Sequence, residues 1–382
     1  MPDLHIADPA QGPAPAMTAA TAQASPTGKA LSIVGLHKSY AGAVAVDSAS
    51  MEIAAGEFVT FLGPSGSGKT TTLMMVAGFV EPDAGTVTVG GRDVTRLAPQ
   101  KRGFGFVFQQ YLLFPHMTVG ENLAFPLQLR GVPKAEIRTR VHEALEMAGM
   151  AGFAGRRPRE LSGGQQQRVA LCRALIYRPP VILMDEPLGA LDKKLRDQLQ
   201  IEIKAIQREL GLTVIYVTHD QEEALVLSDR IAVMRDGGID QFDTPRELFE
   251  RPRTPFVADF LGAANFLPGR VMKGDDNATL VRLDHGGLLT ARPHPIRPGH
   301  PVQAAVQPGR LRICAPEQGF CTGTVETVTY VGTLVRTGVR IAEDTALLRL
   351  EVPAGRAPVT GERVGLTADA EDINVFPAER EG

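Results

Sequence analysis

The chain has 382 residues, 43% of them hydrophobic, and a formal net charge of −3. That length suggests two or three domains, each able to bury a core, and the near-balanced charge argues against a broad nucleic-acid footprint. Three cysteines make no disulfide framework and fit a reducing cytosol, and no apolar run approaches the roughly 20 residues of a membrane span, so any membrane role must come through partner proteins.

Residues 1–28 are rich in Ala, Pro, Thr, Gly and Gln and carry no hydrophobic period. They are expected to be disordered, they lack the basic start and apolar core of a secretory signal, and Met17 is an alternative start. Leu31 to Tyr40 reads as a strand. Tyr40, at its end, is either an aromatic platform for an adenine ring or a half-buried strand tyrosine.

The apolar run Glu57 to Leu62 then leads into Gly63-Pro64-Ser65-Gly66-Ser67-Gly68-Lys69-Thr70, which fits G-x-x-x-x-G-K-[ST]. Thr71 to Ala77 has helix-compatible composition, which completes the strand–loop–helix context of a phosphate-binding loop. Gly63, Gly66 and Gly68 let backbone N–H groups approach phosphate oxygens, and the helix N-terminus adds partial positive charge. Lys69 would reach the β- and γ-phosphates and the Thr70 hydroxyl would ligate Mg²⁺.

Thr86 to Val89 alternates and Gly90-Gly91 turns the chain. Gly105 to Phe108 is a further strand ending at Gln109, whose amide can ligate Mg²⁺ or hold a water, or else is an ordinary loop residue. Gln110 to Pro126 reads as a mixed loop. Lys134 to Met147 reads as a helix, with Ile137, Val141, Leu145 and Ala148 at helical spacing and His142 on its solvated face.

Ser162 is a good N-cap, and Gly163 and Gly164 beside it expose amides at a helix N-terminus. On its own residues this is a capped helix start; as a second anion-binding element it would serve a nucleotide held by another subunit. Val181 to Met184 suits a central parallel strand buried on both faces, and Asp185-Glu186 sits at its C-terminal end, where α/β sheets bind ligands. Asp185 would hold Mg²⁺ through its water shell and Glu186 would polarise an attacking water. Asp192 falls in the next loop. Val214 to Thr218 is another strand, with His219 at its edge, and Asp236-Gly237-Gly238 turns a hairpin between Ile231–Met234 and Ile239–Gln241. After Ala264 the strands become short and are cut by Gly and Pro, as in a small all-β barrel.

Taken together these motifs resemble the ATP-binding subunit of an ABC transporter, over residues 30–262. GPSGSGKT resembles the Walker A loop, VILMDEP the Walker B strand, and LSGGQ, from Leu161 to Gln165, the family's signature. Gln109 matches the Q-loop, Ala190-Leu191-Asp192 the D-loop and His219 the switch histidine. The resemblance implies an α/β P-loop NTPase fold with a helical subdomain over 29–264, followed by an all-β, OB-like TOBE domain over 265–382. It implies ATP and Mg²⁺ as cofactors and a homodimer that sandwiches two nucleotides. Tyr40, the loop from Gly63 to Thr70 and Thr71 would hold one face of each nucleotide. Ser162, Gly163, Gly164, Gln165 and Asp192 of the other copy would close the second face. Thr70, Gln109 and Asp185 would hold the metal, and Glu186, His219, Lys69 and Gln109 would carry the chemistry.

The resemblance further implies two membrane-spanning permease subunits, a periplasmic solute-binding protein, no nucleic acid, and a place at the cytoplasmic face of the inner membrane. Ala258 to Gly262 and Asn265 to Gly269 look most like polyamine (spermidine/putrescine) importers, while ferric-iron, sulfate, phosphonate and sugar importers share the architecture. One departure is Gln307-Pro308-Gly309, where the family commonly has Arg-Pro-Glu. Two other classes compete. Non-transport members of the same ATPase group usually carry two cassettes or a long coiled coil, and a P-loop kinase is opposed by LSGGQ and the Asp185-Glu186 pair.

Overall fold

The computed structural model describes residues 27–109, 112–189, 191–275, 277–343 and 345–378. The segment read as disordered lies, up to residue 26, outside this range, as do Met17 and Ala190. The chain begins with β1 (Leu31–Tyr40), β2 (Ala43–Ile53), β3 (Phe58–Leu62), α1 (Lys69–Ala77), β4 (Ala84–Val89), β5 (Arg92–Asp93), α2 (Pro99–Arg102) and β6 (Gly105–Val107). Helices α3 (Val119–Gln128), α4 (Lys134–Met147) and α5 (Gly163–Leu175) follow. Next come β7 (Val181–Asp185), α6 (Lys193–Leu210), β8 (Thr213–Thr218), α7 (Gln221–Leu227), β9 (Arg230–Arg235), β10 (Gly238–Asp243), α8 (Pro245–Glu250) and α9 (Pro255–Gly262).

The central sheet has the order β10-β9-β3-β8-β7-β6 and is parallel apart from β10. Strands β3, β7 and β8 are buried along their whole length, which is why they read as unbroken apolar runs. Their side chains still alternate between two cores. Val59, Phe61, Val181 and Leu183 face the layer made by β1, β2, β4 and α1. Phe58, Ile182, Met184 and Tyr216 face Leu171 of α5 and Leu199 and Ile203 of α6. All parallel strands therefore end at one edge, and that edge carries the loop after β3, Asp185-Glu186 after β7 and His219 after β8.

The segment Gln110–Pro126, expected to be loop, instead contains most of α3. The Thr118 hydroxyl accepts from Glu121 N at 3.2 Å, and the Glu121 carboxylate accepts from Thr118 N at 2.7 Å. This reciprocal cap starts the helix. Pro126 lies inside the helix, near its end, and removes one ladder bond without stopping it. Val119, Leu123 and Leu127 then pack with Ile137, Leu145 and Val169 in a separate helical core.

Beyond α9 come β11 (Asn265–Gly274), β12 (Thr279–Leu283), β13 (Leu288–Ala291), β14 (Pro301–Val306), β15 (Arg312–Cys314), β16 (Cys321–Val331), β17 (Leu334–Arg340), β18 (Leu348–Pro353), β19 (Arg363–Thr367) and β20 (Ile373–Pro377). They form two five-stranded antiparallel sheets, β13-β12-β11-β14-β20 and β15-β19-β16-β17-β18. One core, with Leu267, Val302 and Val375 from the first sheet and Val325, Val335 and Leu350 from the second, joins them. Strands β13, β15 and β20 had no clear signal in the sequence; each is only three to five residues long. Among the described residues no helix is long and apolar enough to cross a membrane.

Candidate nucleotide site

The loop between β3 and α1 is shaped by its glycines. Gly66 and Gly68 have φ of +83° and +94°, a region that costs other residues about 1 kcal/mol or more. Around Gly66 nothing lies within 4 Å of where a Cβ would sit, so the backbone there is bare. Lys69, 6% exposed, donates to the Gly63 and Pro64 carbonyls, both at 2.8 Å, and so curls the loop over itself. Burial pulls its ammonium below the usual lysine pKa, against the opposing pull of Glu186 and Asp185. The first N–H groups of α1 have no partner within the helix. Ser67 Oγ is buried and has no hydrogen-bond partner either. A ring of amide donors, a hydroxyl without a partner and an ammonium is a fitting cradle for phosphate oxygens.

Across from the loop, Thr70 Oγ1 donates to Asp185 Oδ1 at 3.2 Å. Burial pushes the Asp185 carboxyl above its usual value; the Thr70 bond works the other way, and the neighbouring Glu186 charge adds to the rise. Thr70, Asp185 and the Gln109 amide make an all-oxygen donor set, the kind a hard divalent cation such as Mg²⁺ takes.

Glu186 has a φ of +41°, unusual for a residue with a side chain. Its N–H donates to Val217 O at 2.9 Å, so the β7–β8 ladder fixes the turn. Both of its carboxylate oxygens are engaged. Gln109 Nε2 donates to Oε2 at 3.1 Å, and His219 Nδ1 lies 3.2 Å from Oε1. Holding a carboxylate through Nδ1 places the imidazole proton there and leaves Nε2 facing outward.

The structure thus brings Gly63 to Thr71, Gln109, Asp185, Glu186 and His219 to one edge. Of the remaining expected residues, Tyr40 lies at the margin of this edge, and Ser162 to Gln165 and Asp192 lie elsewhere in the same chain. Tyr40 is 48% exposed, and Lys38 Nζ lies 5.5 Å from its ring. After the turn, β2 returns with the Ala45 carbonyl against Gly68, so Tyr40 stands beside the loop. Ser162 accepts from Gln165 N and donates its own N–H to Gln165 Oε1 at 3.0 Å, a complete capping box. Gly164 is pressed on Leu195, with 2.5 Å between its would-be Cβ and Cδ2. Asp192 caps α6 through Leu195 N at 3.1 Å. Ser162, Gly163 and Asp192 therefore form one exposed patch, with no hydrogen bond to their own phosphate loop among the described residues.

Arg196 was passed over in the sequence, where Lys-Lys-Leu-Arg looks like a solvated helix start. It donates to Leu191 O at 3.0 Å, pairs with Asp220 at 2.9 Å and lies 3.6 Å from buried Glu223. It ties the Asp192 loop to the turn that carries His219.

Family models for the ABC transporter and the TOBE domain match residues 46–189 and 304–376. The chain is 50% identical over 321 residues to the spermidine/putrescine import ATP-binding protein PotA of Thermobifida fusca, covering 80% of each chain. The PotA protein of Rubrobacter xylanophilus is 45% identical over 92% of this chain and 94% of its own. Among solved structures, the dimeric ATP-binding cassette MJ0796, in a post-hydrolysis state bound to ADP and Pi, aligns with a TM-score of 0.52 at 36% identity. It covers 56% of this chain and 99% of that one. The strand-edge cluster, the two matched domains and these relatives lead to one assignment: the chain belongs to the family of ABC transporter ATP-binding proteins that carry a C-terminal TOBE domain.

Proposed function

We propose that this chain is the ATP-hydrolysing subunit of a polyamine importer, taking up spermidine or putrescine. In this reading it works as a homodimer at the cytoplasmic face of the inner membrane, with two permease subunits and a periplasmic solute-binding protein. An ATPase domain over 29–264 is followed by a regulatory or dimerisation domain over 265–382. The observation that carries the hydrolytic part is the Glu186 carboxylate held at both oxygens, by Gln109 and His219, beside the Thr70–Asp185 pair. The cargo is supported by the PotA relatives.

ATP would lie along the loop, with Tyr40 against the base. Lys69 would exchange its two carbonyl acceptors for β- and γ-phosphate oxygens, and Ser67 and the α1 amides would take the rest. Thr70, Asp185 and Gln109 would hold Mg²⁺, which when bound offsets charge on the phosphoryl oxygens. Glu186 orients a water in line with the γ-phosphorus and takes its proton as the water oxygen bonds to phosphorus and the bond to the β-phosphate oxygen breaks. The His219 Nδ1 bond keeps Glu186 aimed at that water. Ser162 and the adjoining amides of the partner subunit close the far side.

Glu186→Gln tests the assignment. It should retain ATP affinity within about threefold while turnover falls by about 10²–10⁴. Near-normal hydrolysis by that variant would remove Glu186 from its role. Cargo is tested with the complex in proteoliposomes: spermidine-dependent ATP hydrolysis is expected, and stimulation by sulfate or a sugar instead would overturn the polyamine reading.

A further inference from the structure

The His219 side chain is 61% exposed, and among the described residues its ring has one polar contact, Glu186 Oε1 at 3.2 Å. Packing does little to hold such a ring, so its aim comes from the backbone of the turn between β8 and α7. Side chains on either side of His219 close that turn. Thr218 Oγ1 accepts from Asp220 N at 3.0 Å, a bond that spans His219 and bends the chain. Asp220 Oδ1 accepts from Glu223 N at 3.2 Å, which helps to start α7. The helix then carries the Glu223 carboxylate back to the end of β8, where its Oε2 accepts from Thr218 Oγ1 at 2.8 Å. The three bonds form a closed ring, from Thr218 to Glu223 to Asp220 and back. Of residues 218–220, only His219 keeps its side chain outside it.

Glu223 is 2% exposed and is fixed from other sides as well. The buried Tyr216 hydroxyl donates to the same Oε2 at 2.7 Å, and Arg196 Nε lies 3.6 Å from Oε1. A hydroxyl has one proton and turns to suit its neighbours. The Glu223 carboxylate takes the Thr218 proton, and a lone pair of the same oxygen is thereby left for Asp220 N.

We propose that Thr218 and Glu223 are positioning residues for hydrolysis. Glu223 orients the Thr218 hydroxyl, the hydroxyl sets the bend at His219, and the bend brings Nδ1 to Glu186. This rests on the reading of Glu186 as the base and of His219 as the group that keeps it aimed.

The test measures steady-state ATP hydrolysis by the full-length chain and by variants matched for what they cost the fold. Thr218→Val keeps the shape and removes the hydroxyl; kcat should fall about 10-fold or more, with KM changed less than about threefold. Thr218→Ser restores the hydroxyl and should bring kcat back to within about threefold of wild type. Tyr216→Phe removes a bond to the same Glu223 oxygen but touches no atom of the turn. It should lower the urea midpoint and leave kcat within about twofold. Wild-type kcat in Thr218→Val would overturn the proposal, and so would an equal loss in Tyr216→Phe, since the effect would then be one of stability alone. Thr218→Ala removes the same hydroxyl without a methyl in its place, and decides the matter if Thr218→Val does not fold. Glu186→Gln is assayed alongside. Normal hydrolysis by that variant removes the base and this inference with it, whereas an inactive Glu186→Gln beside a fully active Thr218→Val defeats the inference alone.

Discussion

Gly68 is confined to glycine twice over. Its φ of +94° lies in the left-handed region, and a Cβ there would stand 2.5 Å from the Ala45 carbonyl of β2. Gly66 shares the first constraint but not the second, since nothing lies within 4 Å. Gly66→Ala should therefore cost about 1 kcal/mol, whereas Gly68→Ala should cost about 2–3 kcal/mol and abolish ATP binding, because β2 must shift for the side chain to fit. Urea denaturation and nucleotide titration of both variants check the difference; equal costs would mean that the Ala45 contact is unimportant. At this scale much of the site was legible. Lys69, Thr70, Asp185 and Glu186 announce themselves by residue type at the end of an apolar run. The positive φ of Glu186 does not, because it arises from the β7–β8 ladder turning the chain, and no local residue type encodes it.

Elements carry their information in contacts between segments far apart in sequence, and there the sequence was less informative. The parallel strands were legible from unbroken apolar runs. Helix α3 was not, although Thr118 and Glu121 spell out a capping box, because Pro126 within it interrupts the helical pattern. Arg196 was invisible for a different reason: its partners, Leu191 O, Asp220 and Glu223, meet it only after α6 has packed beside α7. Asp220 also caps α7, through Glu222 N at 2.8 Å, so the residue after His219 is held from both sides. Arg196→Met is expected to lower kcat for ATP about 10-fold with KM changed less than threefold, and Arg196→Lys to recover part of the loss. Equal kcat in wild type and Arg196→Met would show that His219 needs no such anchor. The β1–β4 edge offers a pH test. Lys38, at 2.7 Å, and Ser39 N, at 2.8 Å, hold the Asp83 carboxyl below its ordinary pKa of 3.8. A depressed carboxyl stabilises the fold fully above its unfolded pKa and loses that contribution as pH falls through the lower folded value. Asp83→Asn should thus be less stable than wild type at pH 7, and the gap in urea midpoint should begin to narrow below about pH 4 and go on narrowing as the pH falls. A gap that stayed constant from about pH 7 down through the acid range would rule out the charge as its source.

On the scale of the whole molecule, the two parts of the chain are joined by specific contacts rather than by a bare linker. Asn374 Nδ2 of β20 donates to Glu250 O at the end of α8, at 3.4 Å. Gln307, where the family commonly has arginine, donates to Phe249 O at 2.8 Å at the end of α8, so the departure from the family pattern is itself a junction contact. A larger joint is implied by the exposed patch of Ser162, Gly163 and Asp192, which among the described residues has no hydrogen bond to its own phosphate loop. If two chains complete each other's sites, defects in different halves must complement. Consider Lys69→Ala, which spoils the phosphate loop, and Gly163→Asp, which places a like charge where the γ-phosphate would be sealed. Each homodimer has two spoiled sites. A mixed dimer has one site spoiled twice and one intact, built from the phosphate loop of the Gly163→Asp chain and the capped helix of the Lys69→Ala chain. With random pairing half of the dimers are mixed, so an equimolar mixture should recover about a quarter of wild-type hydrolysis if the sites act independently, and less if they act in concert. Each variant alone should stay near background. Steady-state ATPase assays after co-refolding read the outcome directly. A mixture no more active than the mean of its components would mean that each chain hydrolyses ATP without the other's serine–glycine turn.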